Sequence, residues 1–168
     1  MMNINRKIWL ISDTHWGHDR ICEYENRPKD HDVIMLRNWI KMISWDDTVI
    51  HLGDLFFGRG IQYLPQLTGN IILIRGNHDN KSNSWYRDNG IIMVLDAFTL
   101  KTHGNEIVFT HEPLPNLVGF DYNIHGHLHR NQHRAFDSSE RHILFSIENE
   151  EYKPVELNKF IERYVKQK

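Results

Sequence analysis

One local pattern recurs along this chain and constrains its fold more than anything else. A short apolar run breaks into glycine, carboxylate, amide or imidazole side chains. Ile71-Ile72-Leu73-Ile74-Arg75 runs into Gly76-Asn77-His78-Asp79. Ile8-Trp9-Leu10-Ile11 runs into Ser12-Asp13-Thr14-His15, and Val49-Ile50-His51-Leu52 into Gly53-Asp54. Ile107-Val108-Phe109-Thr110 runs into His111-Glu112-Pro113, and Tyr122-Asn123-Ile124 into His125-Gly126-His127-Leu128-His129. Aliphatic, β-branched runs of this length read as buried strands. A glycine at a strand's carboxyl end lets the backbone turn sharply. Open α/β sheets place their ligands outside those carboxyl ends. One such block is ordinary turn chemistry; the repetition is the signal.

The intervening residues set the fold class. Strands are expected at residues 7–12, 48–52, 71–75 and 91–95. Residues 14–32 make a long polar connection, where about 4–6 residues is usual, and this favours a functional loop. A helix is expected over residues 31–44, with Val33, Leu36, Ile40 and Ile43 on its apolar face and Asp30 as its amino-terminal cap. Short helices are expected at 61–67, despite Pro65, and at 81–89, stopped by Asn89-Gly90. Beyond residue 95 the alternation ends. Residues 97–101 and 106–110 read as a hairpin, with turn chemistry at His103 to Asn105. Further strands are expected at 120–124, near Arg130 and at 142–147. After Pro154 comes a helix with Leu157, Phe160, Ile161, Tyr164 and Val165 as its stripe. This order gives an α/β or α+β protein. No repeat, linker or boundary is visible, so residues 1–168 read as one domain, long enough for a substantial core.

Composition narrows the function classes. A net charge of −2 gives no general nucleic-acid-binding surface, so no stable nucleic-acid complex is expected. The single Cys22 leaves no internal disulfide and suits a reducing compartment. No apolar run precedes Ile8, and none approaches the about 20 residues a spanning helix needs. A cytoplasmic protein without a membrane anchor is therefore expected, its oligomeric state open. Twelve histidines are dispersed along the chain, most of them in or beside the strand ends, unlike a compact histidine tract. Asp13 and His15 lie two apart, as do His127 and His129. In extended chain such residues point to one side, so Asp13 and His15 can both grip one ion, and His127 and His129 share that spacing. Carboxylate with imidazole suits Mn²⁺, Fe or Zn²⁺, and the lack of cysteine argues against a structural zinc finger.

The blocks and their order resemble the calcineurin-like metallophosphoesterase superfamily, whose pattern is D-x-H, G-D, G-N-H-D or G-N-H-E, a lone H, and G-H-x-H. Here these are Asp13/His15, Gly53-Asp54, Gly76 to Asp79, His111 and Gly126 to His129. The resemblance implies a four-layer α/β-β/α sandwich, two mixed sheets flanked by helices. It implies two divalent cations, among Mn, Fe, Zn and Ni, with Mn expected. Asp13, His15, Asp54 and His129 would hold the first. Asp54, Asn77, His111 and His127 would hold the second, with Asp54 bridging. The implied reaction is hydrolysis of a phosphodiester or phosphomonoester by water activated between the metals, the phosphate ester being the partner to seek. His78, beside a ligand but not one itself, would stabilise the phosphoryl group or protonate the leaving oxygen, with Asp79 orienting it.

Three further residues are candidate substrate contacts: His18 and Arg27 in the long loop, and Arg75, which either reaches the site or faces away. Arginine suits phosphate by its bidentate fork. His51 reads as a core or ligand-supporting residue and His103 as an exposed turn residue. His125 either orients a ligand or points into the interior. Met35, Trp39 and Trp45 read as packing, and residues 148–151 as a solvated loop. His133 and His142 carry no role. The alternatives to a hydrolase are a non-catalytic scaffold on the same fold, binding protein partners, and a histidine-rich metal store or sensor.

Overall fold

The computed structural model describes residues 6–130 and 140–166. In chain order, β1 (Ile8–Ile11) leads through α1 (Ile21–Tyr24) and α2 (His31–Met42) to β2 (Thr48–His51). A 3₁₀ helix (Gly58–Gln66) precedes β3 (Asn70–Ile74), and α3 (Asn83–Asp88) precedes β4 (Ile91–Leu95). Then come β5 (Phe98–Thr102), β6 (Asn105–Thr110), β7 (Tyr122–His125), β8 (His142–Leu144), β9 (Val155–Glu156) and α4 (Leu157–Tyr164).

The strands form two mixed sheets, ordered β4-β3-β2-β1-β9 and β5-β6-β7-β8. In the first, β1 to β4 are parallel and β9 runs antiparallel to β1. Leu10, Val49, Leu73 and Ile74 are fully buried. Strands covered on both faces need such continuous aliphatic runs. In the second sheet, β5 and β6 form the expected hairpin, while β6, β7 and β8 are parallel. Trp9, Leu10, Phe109, Ile124, Phe145 and Phe160 belong to one apolar cluster that joins both sheets. This is the expected α/β architecture of two mixed sheets with helices. Parallel strands put their carboxyl ends on one edge, so every block named above emerges at an edge of its own sheet. Among the described residues no helix is long and apolar enough to cross a membrane.

Several elements differ from the sequence reading. In α2 the core face is His31, Met35 and Trp39, at successive four-residue steps, while Val33 and Ile40 are 51% and 52% exposed. Of the expected stripe, Ile43 is buried and Leu36 packs partly against the core, but the larger Trp39 and Met35 take the rest of the buried face, and the Trp39 indole donates to Thr68 O at 2.9 Å. Asp30 makes no side-chain cap, and Asp32 instead accepts from the Gly17 amide at 3.0 Å. Trp45 is not packing: it is 76% exposed. Tyr164 is likewise exposed, whereas Leu157, Phe160, Ile161 and Val165 are buried as expected. Pro65 sits inside a 3₁₀ helix. The Asn89-Gly90 stop holds, with Gly90 at φ +92°. The strand at 142–147 shortens to β8. That expected near Arg130 gives a turn there, and its continuation, with His133, lies outside the described residues.

Candidate metal centre

The ligand-bearing loops are built from backbone that side chains rarely adopt. Asp13, His15, Asp54, His127 and His129 have φ of +51°, +48°, +56°, +69° and +48°. They are five of the nine non-glycine residues with positive φ among the described residues. Each costs about 1–3 kcal/mol, and such strain persists only where the surroundings over-determine it. Here they do. The amides of Asp13, His15 and Trp16 donate to the carbonyls of Gly53, Asp54 and Leu55 at 3.0–3.1 Å, which prolongs the β1–β2 ladder past both strands. The His127 amide donates to the Asp13 carboxylate at 3.0 Å, stitching the second sheet to the first. Two glycines make that closeness possible: a Cβ on Gly76 would strike the Asp54 amide and carboxylate, and one on Gly126 would strike Ser12 Oγ and Asp13 Oδ2.

Asp13 and His15 fall in one group, as their spacing allows, and His127 and His129 fall in different ones, as the resemblance implies. The pairs lie beyond the strands, in left-handed backbone. Two ligand groups result: Asp13, His15 and His129, and Asp54, His111 and His127, each with its donor atoms within 4.8 Å of one another. Asp54 Oδ2 sits between them, 3.5 Å from His15 Nε2 and 3.6 Å from His111 Nε2. Asn77 Oδ1 lies 2.9 Å from His111 Nε2 and 3.0 Å from His127 Nδ1.

Neighbouring groups fix the tautomers. His111 Nδ1 is 2.7 Å from Leu52 O. A carbonyl only accepts, so Nδ1 carries the proton and Nε2 offers its lone pair to the site. His129 Nδ1 likewise faces Glu148 Oε1 at 2.9 Å, leaving Nε2 free. His15 supplies the test of whether a cation fits. It is buried, yet neither ring nitrogen has a hydrogen-bond partner. An unpaired buried polar group is costly. Burial, then the charges of His129 and Arg27, holds its pKa well below the ordinary value, which favours the neutral form, the one in which an imidazole can ligate a cation. Burial raises the Asp13 carboxyl despite the nearby imidazoles of His111 and His129. A divalent cation among these side chains would answer both penalties, and the donor set, oxygen and imidazole without sulfur, suits one.

His78 stands outside both groups. Its side chain is 48% exposed, with Nε2 4.0 Å from Asp54 Oδ2, while its amide donates to Asp54 Oδ1 at 2.9 Å. Asp79 does not orient it: Asp79 is buried and accepts from the amides of Asp54, Leu55 and Gly76 at 2.8, 3.1 and 2.9 Å, tying two ligand loops together. His18 is near the site, its ring centroid 5.8 Å from that of His15. Phe57, which no sequence motif singles out, has the rings of His15, His18 and His78 at 5.2, 4.3 and 4.8 Å.

Of the other two candidate substrate contacts, Arg27 is turned inward. The Arg27 side chain is fully buried and spends its donors on Glu148 Oε1, Thr14 O and Asp13 O. Arg75 lines a hollow with Asn77, His111 and Glu112, its guanidinium donating to Asp79 O, to Lys81 O at 3.0 Å and to Asn83 Oδ1. Glu148 is no part of a solvated loop: it is buried between Arg27, His129 and Ser146. Burial pushes its carboxyl up, but the His129 hydrogen bond and the Arg27 charge outweigh that and hold it at about 2. Glu148 was masked by its acidic neighbours, and Arg27 by a loop whose partners lie far off in sequence.

His51 supports the site from the core. Its Nδ1 accepts from the Gly53 amide at 3.2 Å and its Nε2 donates to Thr14 Oγ1 at 2.9 Å. Burial, then His111, pushes its pKa down to about 3. His125 points into the interior, donating from Nδ1 to Gly126 O at 2.9 Å. His103 is only partly exposed.

Two mixed sheets whose strand ends bring paired carboxylate–imidazole groups together define the metallophosphoesterase class of fold. A family model for the calcineurin-like phosphoesterase superfamily domain matches residues 7–145, and the chain belongs to that superfamily. An uncharacterized protein of Methanocaldococcus jannaschii is 32% identical over 167 residues, covering 91% of this chain and 88% of that one. A protein of unknown function from Aquifex aeolicus superposes with a TM-score of 0.74 at 22% identity, over 95% of this chain and 100% of that one. The Pseudomonas putida nuclease MPE superposes with a TM-score of 0.51 at 23% identity, over 74% and 62% of the two chains. At those identities both structures speak to the fold alone.

Proposed function

We propose that the chain hydrolyses phosphate esters, diesters or monoesters, at a centre of two divalent cations, manganese first among them. The observation that carries this reading is the place of Asp54 Oδ2, between two buried ligand groups and 4.0 Å from the half-exposed His78. Asp13, His15, Asp54 and His129 would hold one cation; Asp54, Asn77, His111 and His127 would hold the other. Bound there, two divalent cations supply Lewis acidity: they lower the pKa of a shared water and offset the charge of the phosphate.

The remaining work falls to side chains. Asp54 Oδ1 is pinned by the His78 amide, which aims Oδ2 between the groups. His78, in neither group, is free to hold a proton and pass it to the leaving oxygen, a role worth about 10²–10⁴-fold. The Phe57 ring lies against the imidazoles of His15, His18 and His78 and would hold them in place. His18 would touch a bound ester; Arg27, its side chain fully buried, would not. Selection among esters would rest on residues 16–29 and 112–119, the loops around the opening.

The test is turnover of bis(p-nitrophenyl) phosphate and p-nitrophenyl phosphate by Mn²⁺-loaded protein. We expect hydrolysis of at least one, a fall of about 10²–10⁴-fold in His78→Ala with Mn²⁺ uptake unchanged, and loss of uptake in Asp54→Asn. Mn²⁺ bound in full with neither ester hydrolysed would instead favour a scaffold or a metal store.

A further inference from the structure

A buried ion pair lies directly behind one ligand group and, among the described residues, has no counterpart behind the other. Arg27 Nε and Nη2 donate to Glu148 Oε1 at 2.8 and 2.6 Å, and that same oxygen accepts from His129 Nδ1 at 2.9 Å. Glu148 Oε2 takes the Ser146 hydroxyl at 2.7 Å. The rest of the guanidinium turns to the ligand strand: Nη2 donates to Asp13 O at 2.7 Å and Nη1 to Thr14 O at 2.9 Å. One planar fork therefore grips both neighbours, the strained Asp13 backbone directly and His129 through a carboxylate.

The second group is backed differently. His111 donates to a neutral carbonyl, that of Leu52, at 2.7 Å. An anion behind an imidazole makes its free nitrogen more basic and fixes its ring, whereas a carbonyl fixes the ring with less effect on basicity. A buried pair is weak grounds for stability, because desolvating two charges is costly. Its retention here calls for another reason, and the three-way contact supplies one. Glu148 also lies past residue 145, where the match to the family model ends.

We propose that Arg27 and Glu148 are positioning residues dedicated to the Asp13/His15/His129 group, fixing the His129 tautomer and raising the affinity of that group for a divalent cation over that of its neighbour. The proposal rests on reading the site as a metal centre. Removing the pair should weaken one ion and leave the other, whereas a merely structural role would weaken both.

The experiment is calorimetric titration of Mn²⁺ into metal-free full-length protein, wild type against Glu148→Gln and against the double variant Arg27→Met/Glu148→Met. The double variant avoids stranding a lone buried charge. His129→Ala marks which of the two binding events belongs to the first group. We expect two events in wild type, and in both test variants a loss of about 10–100-fold at the event missing in His129→Ala, the other holding within about 2-fold. Two events of wild-type affinity in either variant would overturn the positioning role alone. So would equal weakening of both events, or a variant that no longer melts cooperatively. Wild type that takes up no Mn²⁺ would overturn the metal-centre reading, and the proposal with it.

Discussion

At the scale of single residues, the site is set by atoms that are missing. Gly76 passes so close to Asp54 that a methyl group there would occupy the space of its amide and carboxylate. Gly76→Ala is therefore expected to push Asp54 off its place between the ligand groups and to cost about 1–3 kcal/mol of stability, the range for overpacking. Urea denaturation reads the second effect and Mn²⁺ titration the first. A folded variant with normal uptake would mean that the loop yields more than its contacts suggest. The five ligand residues in left-handed backbone were not legible in sequence. Nothing in Asp-Thr-His or His-Leu-His announces a positive φ, because that geometry is imposed by the hydrogen bonds that the Asp13 amide donates to Gly53 O and the His127 amide to the Asp13 carboxylate.

At the scale of elements, the ligand loops are aligned by how β1, β2 and α2 are clamped. The Asp47 carboxylate accepts from the Lys7 amide at 2.9 Å, the Trp9 indole at 2.9 Å and the Ser44 amide at 3.0 Å, joining the start of β1 to the end of α2. That clamp fixes the register pairing Ile8 with Thr48, and with it Asp13 beside Gly53. Burial pushes the Asp47 carboxyl up, but the three donors outweigh it and leave it below its ordinary 3.8. A depressed carboxyl stabilises the fold above its unfolded pKa. The stabilisation is lost as pH falls from about 4 toward the lower folded value. Asp47→Asn is thus expected to lose about 1–3 kcal/mol at neutral pH and to show a flatter loss of stability below about pH 4 than wild type. Urea midpoints across that range decide it; parallel acid limbs would remove Asp47 from the account.

At the scale of the whole molecule, the two sheets contribute to each ligand group. Asp13, His15, Asp54 and Asn77 follow strands of the first sheet; His111, His127 and His129 follow strands of the second. Cations bound among them would cross-link the sheets, so stability should follow metal concentration. We expect the melting temperature to rise with added Mn²⁺, by the equivalent of about 4 kcal/mol at a thousand times Kd, and to fall back with EDTA. Scanning calorimetry at several Mn²⁺ concentrations checks this, and a melting point indifferent to Mn²⁺ would contradict it.

The sequence by itself determined where the strands run and which side chains stand at their ends. Runs such as Ile71 to Ile74 have no way to be stable except buried in a sheet, and polar residues right after them must emerge at its edge. Only the tertiary structure decided how those ends combine. Asp13, His15, Asp54, His127 and His129 take left-handed backbone, Arg27 turns inward to Glu148 across 121 residues, and α2 buries Trp39 rather than Ile40. The physical reason is the same in each case. Burial of an apolar run is a local property, repeated wherever the composition repeats. The direction of a ligand or a buried charge depends on a partner that only the packing of two sheets brings within reach.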